Sequence, residues 1–145
     1  MAGHNKKIGE YKRTHRNRGP LRCVQRQGRF RHTYAALDLG THNCRLLVAR
    51  PSRQAFRVID SFSRPVRLGE GVEQEGILCS SAMERTLGAL KICVSKIKFN
   101  KADRVRCVAT EACRQASNSL DFEARVRNET GIKIETISCK EEARL

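Results

Sequence analysis

The sequence predicts an α/β domain with a mixed sheet in the order β-β-β-α-β-α-β, and three observations carry that expectation. Residues 34–49 form two short apolar runs hinged on Asp38-Leu39-Gly40-Thr41, the pattern of a strand hairpin. Met83, Leu87, Leu90, Val94 and Ile97 recur at helical spacing. Arg104 to Ala109 then reads as a buried strand, so that a meander comes first and crossover connections follow, with helices on the faces of the sheet.

The remaining elements follow from local chemistry. Ala55 to Ile59 resembles a third strand, and Arg64 to Val72 reads as an extended run ending in a glycine turn. Ser81 and Glu84 have the spacing of a capping box at the start of the long helix. Thr110 is placed to cap a short helical turn through Arg114. Asn118 or Ser119 can cap a further helix, with Phe122 and Val126 on one face and Gly131 at its end, before a last strand from Ile132 to Ile137. Ser138 to Leu145 opens another helix, in which Glu141 can fold back on the Ser138 backbone N–H while Glu142 faces elsewhere.

Charge divides the chain into two parts. Of the formal net charge of +14, residues 1–33 hold +9, from ten Lys or Arg against the single acid Glu10. Few apolar residues separate these cations, so the segment cannot bury enough surface to offset the entropy of ordering, and it is expected to be a disordered basic arm. Such an arm would attract polyanions by counterion release, more weakly as salt rises. Charge alone does not choose between nucleic acid, an anionic membrane surface and polyphosphate, and a purely solubilising extension fits as well. Residues 34–145 carry the apolar periodicity of one domain. No stretch approaches the roughly 20 apolar residues of a membrane span, and there is no secretory pattern, which points to the cytoplasm.

The seven cysteines form no C-x-x-C pair and are odd in number. Most lie in apolar runs, where a free thiol acts as a small hydrophobe, so zinc is not expected.

The chemistry of the chain centres on the first hairpin. Gly40 permits close approach to a ligand, and the N–H groups beside it can converge on phosphate oxygens. Asp38, at the end of the first strand, can offer oxygen to a hard cation such as magnesium. Asp-x-Gly turns also join strands in hairpins that bind nothing. Arg114 can pair with Glu111 at i, i+3, and Glu141 and Glu142 can serve as ordinary first-turn acids.

Five segments in order carry a family resemblance: Ala36-Leu-Asp-Leu-Gly-Thr-His-Asn-Cys, Val66-Arg-Leu-Gly-Glu-Gly-Val, Val108-Ala-Thr-Glu-Ala-Cys-Arg, Thr130-Gly-Ile, and Ile137-Ser-Cys-Lys-Glu-Glu-Ala-Arg-Leu. Residues 34–145 resemble the N-terminal part of the exopolyphosphatase and guanosine pentaphosphate phosphatase family. The resemblance implies a truncated actin-like, ribonuclease H-like ATPase half-domain. It also implies hydrolysis of the terminal phosphate of polyphosphate or guanosine pentaphosphate, with Mg2+.

By position, Glu142 is similar to the family's catalytic base, Asp38 to its metal-holding acid, and Arg114 to the arginine of its Ala-Thr-x-Ala-x-Arg segment. Gly40, Thr41, His42 and Asn43 would contact phosphate, and Arg67 would help electrostatically. The family often has Ser-Asn-Ser where this chain has Thr41-His42-Asn43, so donors there differ, and His42 reads as a neutral donor or an exposed turn residue. The family also continues into a second phosphate turn, Asp-x-Gly-Gly-Gly-Ser, and a second lobe. The chain is therefore expected to be an incomplete form, weakly active or inactive alone, with homodimer formation one outcome of exposed apolar surface. Two other readings stand beside this one: a non-catalytic polyanion-binding module acting through the arm, and a kinase or ATPase of the same superfold.

Overall fold

A computed structural model describes residues 32–53 and 55–144. The basic arm falls almost wholly on residues 1–31, outside the described residues. Thr33, assigned to the arm on charge, is instead packed into the domain. Only 3% of it is exposed, and its N–H donates to Asp103 Oδ2 at 2.7 Å.

Three strands form the meander: β1 (Tyr34–Leu39), β2 (Asn43–Pro51) and β3 (Phe56–Pro65). Two short strands, β4 (Arg104–Ala109) and β5 (Ile134–Thr136), complete a five-stranded sheet in the order β3-β2-β1-β4-β5. The meander pairs antiparallel, whereas β4 runs parallel to both β1 and β5. The helices are α1 (Val72–Glu75), α2 (Ser80–Phe99), α3 (Glu111–Gln115), α4 (Ser119–Thr130) and α5 (Cys139–Glu142). The predicted strand and helix order holds: α3 and α5 are the short helical turn expected after Thr110 and the helix expected from Ser138, and α1 alone is added.

Alternation along the strands fixes which side of the sheet is core. Leu37 and Leu39 of β1, Cys44, Leu46 and Val48 of β2, and Cys107 and Ala109 of β4 point to one face. There they meet Leu87, Leu90 and Cys93 of α2 and Phe122 and Val126 of α4. The expectation of helices on both faces is corrected. Among the described residues, the opposite face leaves Leu47 45% exposed and Val58 52% exposed.

Other boundaries moved for local reasons. The third strand runs through Pro65, so the extended run expected over residues 64–72 divides into a strand end, a loop and α1. Gly71 and Gly76 bracket α1 with φ of 85° and 67°, a left-handed backbone that glycine adopts without steric cost. The capping box at Ser81 does not form: the N-cap of α2 is Cys79, two residues earlier, with no side-chain cap. Glu84, its expected partner, pairs with Arg125 of α4. Asn118 does precede α4, yet its side chain bridges to the Leu78 N–H and carbonyl at 2.8 and 3.0 Å, tying the entry of α4 to that of α2. The last strand is shorter than expected because only Ile134 to Thr136 pair with β4.

Candidate active site

Parallel pairing brings the carboxyl ends of β1 and β4 to the same height, with Leu39 opposite Ala109. The chain leaves β1 into the Gly40–Asn43 loop and leaves β4 into Thr110 and α3, so two segments far apart in sequence open on one spot. A polar cavity of about 270 Å³ lies there, lined by Asp38, Gly40, Thr41, His42 and Asn43 from the first segment and by Thr110 and Glu111 from the second. Arg45 and Glu142 complete the lining.

The hairpin loop is narrow. The Gly40 N–H donates to the Asn43 carbonyl at 3.0 Å, leaving Thr41 and His42 at the tip. Gly40 is not in the left-handed region, and a Cβ there would meet only the Asn43 oxygen at 3.5 Å. Turn geometry therefore does not demand glycine here; close approach of a ligand remains the reason for it. His42 is exposed at the tip, and its carbonyl accepts from Val66 and Arg67 at 2.8 and 3.0 Å.

The loop after β3 backs the hairpin loop. The Gly69 N–H donates to the Thr41 carbonyl at 3.0 Å, and a Cβ on Gly69 would lie 2.3 Å from Thr41 Cγ2. Arg85 of α2 holds this loop in turn, Nε donating to the Val66 carbonyl at 3.0 Å. Arg67 adopts φ 49°, a conformation that costs a non-glycine residue roughly 1–2 kcal/mol and is sustained here by these backbone bonds. Its side chain is exposed and does not line the cavity, so the structure does not bring Arg67 together with the other candidate residues.

Glu142 reaches the cavity from α5. Ser138 caps that helix, its Oγ accepting from the Glu141 N–H at 3.2 Å. The return bond from Glu141 is absent: its carboxylate accepts instead from Arg106 Nη2 at 2.8 Å. Glu142 turns the other way, as the cap spacing predicts, and its Oε2 accepts from Arg114 Nη1 at 3.0 Å. The same nitrogen donates to the Ile137 carbonyl at 2.7 Å. Arg114 therefore pairs with Glu142 rather than Glu111, and that carboxylate raises its pKa above the usual value. Arg114 touches the cavity through Glu142 and does not itself line it.

Asp38 is half-buried at the end of β1, with no side-chain hydrogen bond or ion pair among the described residues. A carboxylate with open lone pairs can offer oxygen to a hard divalent cation, although among the described residues no three carboxylate, imidazole or thiol side chains converge around it. Three lining residues escaped the sequence reading as site groups: Glu111 entered it only as a partner for Arg114. Thr110, 8% exposed, entered it only as a helix cap, and Arg45 did not enter it at all. The parallel pairing of β1 with β4 was the signal for Thr110, since ligands of open α/β sheets collect at strand carboxyl ends.

A meander followed by two parallel strands, with a polar cavity where β1 and β4 end, defines an actin-like ATPase-type half-domain. The description "Ppx/GppA phosphatase family" matches residues 47–145, and the chain belongs to that family. Its fold is similar to that of the Aquifex aeolicus Ppx/GppA family member, at 34% identity and a TM-score of 0.75, over 78% of this chain and 37% of that one. An exopolyphosphatase from Cytophaga hutchinsonii is similar at 26% identity and a TM-score of 0.75, over 78% of this chain and 36% of that one. An exopolyphosphatase-like protein matches at 32% identity and a TM-score of 0.74, over 77% and 34% of the two chains. The chain thus spans little more than a third of the length of these relatives.

Proposed function

We propose that this chain carries the phosphate-gripping and water-activating part of a phosphoanhydride hydrolase acting on the terminal phosphate of polyphosphate or of guanosine pentaphosphate. The observation that carries the reading is the Arg114–Glu142 pair at the mouth of the cavity that also holds Asp38 and the hairpin loop. Thr41, Asn43 and the loop N–H groups offer donors to phosphate oxygens, and Thr110 adds a hydroxyl. Glu142 is the general base: its carboxylate orients a water toward phosphorus and takes its proton, while Arg114 fixes the carboxylate's position. Asp38 would hold magnesium, which supplies positive charge against the phosphate oxygens. Membership of the family supports the reaction class, and the free lone pairs of Asp38 support the cation. A cytoplasmic setting is part of this reading, in keeping with the buried free thiols.

The matched relatives are far longer than this chain, so turnover by the 145 residues alone is expected to be low, and binding is the more sensitive readout. The test is phosphorus NMR of tripolyphosphate with magnesium. Slow release of orthophosphate that Glu142→Gln lowers by about 10²–10⁴-fold supports the assignment. Release unchanged by Glu142→Gln removes the base, and binding lost on deletion of residues 1–31 alone favours a polyanion-binding arm instead.

A further inference from the structure

The helix that carries Glu142 is four residues long, too short to hold its direction by its own backbone bonds. Two guanidiniums from different elements hold it instead. Arg114 of α3 takes Glu142, and Arg106 of β4 takes the neighbouring Glu141, its Nη2 donating to Oε1 at 2.8 Å. Arg106 also donates from Nε to Glu135 Oε2 of β5 at 3.0 Å, so one side chain ties β4 to both β5 and α5. Its backbone is fixed in turn by the parallel pairing of β4 with β1, opposite Ala36. The two carboxylates, Glu141 foremost, raise its pKa above the usual arginine value. Arg106 does not line the polar cavity.

Successive residues on a helix point about 100° apart, so fastening adjacent acids to arginines on different elements leaves α5 a single rotational setting. Resting on the reading of Glu142 as the base, we infer that Arg106 is a positioning residue: by holding Glu141 it fixes the rotation of α5 and keeps Glu142 turned toward Arg114 and the cavity. Without Arg106 the turn has one tether, at Arg114, about which it can swivel. The side chains of both ion pairs are about half exposed, a setting in which such pairs add little to stability. Their effect is on direction.

Nitrogen-15 NMR of the Arg114 guanidinium in the full 145-residue chain, its signal assigned with Arg114→Lys, reads the setting of Glu142. Bonds to Glu142 and Ile137 should give resolved Nη protons at low temperature in the unsubstituted chain. Arg106→Ala should merge them, and so should Glu141→Ala, a milder change at an exposed helix position that carries the test if the first variant unfolds. Arg106→Lys should recover part of the pattern. Glu135→Gln, which cuts only the bond to β5, should leave it unchanged. In phosphate release from tripolyphosphate with magnesium, Arg106→Ala should lower kcat by about 10–10²-fold with KM within about twofold. An unaltered Arg114 pattern in folded Arg106→Ala would overturn the inference, as would a rise in KM at constant kcat, which would mark Arg106 as a phosphate contact. If Glu142→Gln leaves release unchanged, the base reading falls by itself, and the Arg114 spectrum still decides whether Arg106 sets α5.

Discussion

Arg114 Nη1 lies between two acceptors, the Glu142 carboxylate at 3.0 Å and the Ile137 carbonyl at 2.7 Å, and so links α3 to the segment that enters α5. The pair sets the direction of Glu142 rather than merely balancing its charge. Replacing Arg114 by alanine should cost only about 1–2 kcal/mol of stability, the worth of a charge-assisted hydrogen bond at a partly exposed site. Hydrolysis should fall far more than that, because the base loses its orientation. Denaturant melts and phosphate-release assays on one preparation separate the two effects. An equal fractional loss in Arg114→Lys and Arg114→Ala would show that geometry matters more than charge.

Gly69 is the contact through which the loop after β3 sets the hairpin loop. Its backbone angle does not require glycine; the 2.3 Å approach to Thr41 Cγ2 does. Gly69→Ala should therefore displace Thr41, at a cost of about 1–3 kcal/mol as for other overpacked sites. Combining it with Thr41→Ser, which removes the obstructing methyl, should restore most of the melting temperature. Failure of the double variant to recover would place the strain elsewhere.

Asp60 joins β3 to α2 through Lys96 at 2.8 Å and Asn100 at 2.8 Å, and the Lys96 bond is the main reason its pKa lies below the ordinary carboxylate value. A carboxyl depressed in the folded state adds stability above its unfolded pKa and loses it as pH falls through the folded one. Glu129, lowered by Lys91 and Arg125, acts in the same direction. The melting temperature should hold near neutrality and decline below the usual carboxylate range. Asp60→Asn should flatten that decline, and an unaltered acid limb in this variant would remove Asp60 from the account.

The thiols should divide sharply in reactivity. Burial pushes Cys107 and Cys113 up to about 12, and Cys44 is raised by its bond with Cys93 and by burial. Among the described residues, Cys139 alone is exposed. Alkylation at pH 8 followed by peptide mass spectrometry should label Cys139 fully and Cys79 in part, leaving the four core thiols unmodified until the chain unfolds.

The core of the molecule was legible because its signals are local. The helix period through Leu87 and Leu90, the cap at Ser138 and the glycine at 131 each depend on neighbours within a few residues. What could not be read was pairing across distance. Glu84 forms its salt bridge with α4 instead of closing a capping box, and Glu141 abandons Ser138 for Arg106, because cationic partners 41 and 35 residues away lie closer in space. Arg45 escaped notice for the same reason: only the stacking of β2 between β1 and β3 sets it between Asp38 and Ser63. Arg67 is the opposite case: its place in a motif says nothing of the loop, on which its side chain is exposed and off the cavity.

The parallel contact between β1 and β4 also governs the order in which the molecule can become competent. The meander needs only short loops to close, whereas β1 and β4, joined at their amino ends by the Thr33–Asp103 bond and opening on the cavity at their carboxyl ends, pair residues 70 apart in sequence. Closing so long a loop is slow relative to hairpin formation. The cavity therefore belongs to the late steps of refolding: a nascent chain that has already zipped its first three strands still has nowhere for an anion to settle until β4 arrives.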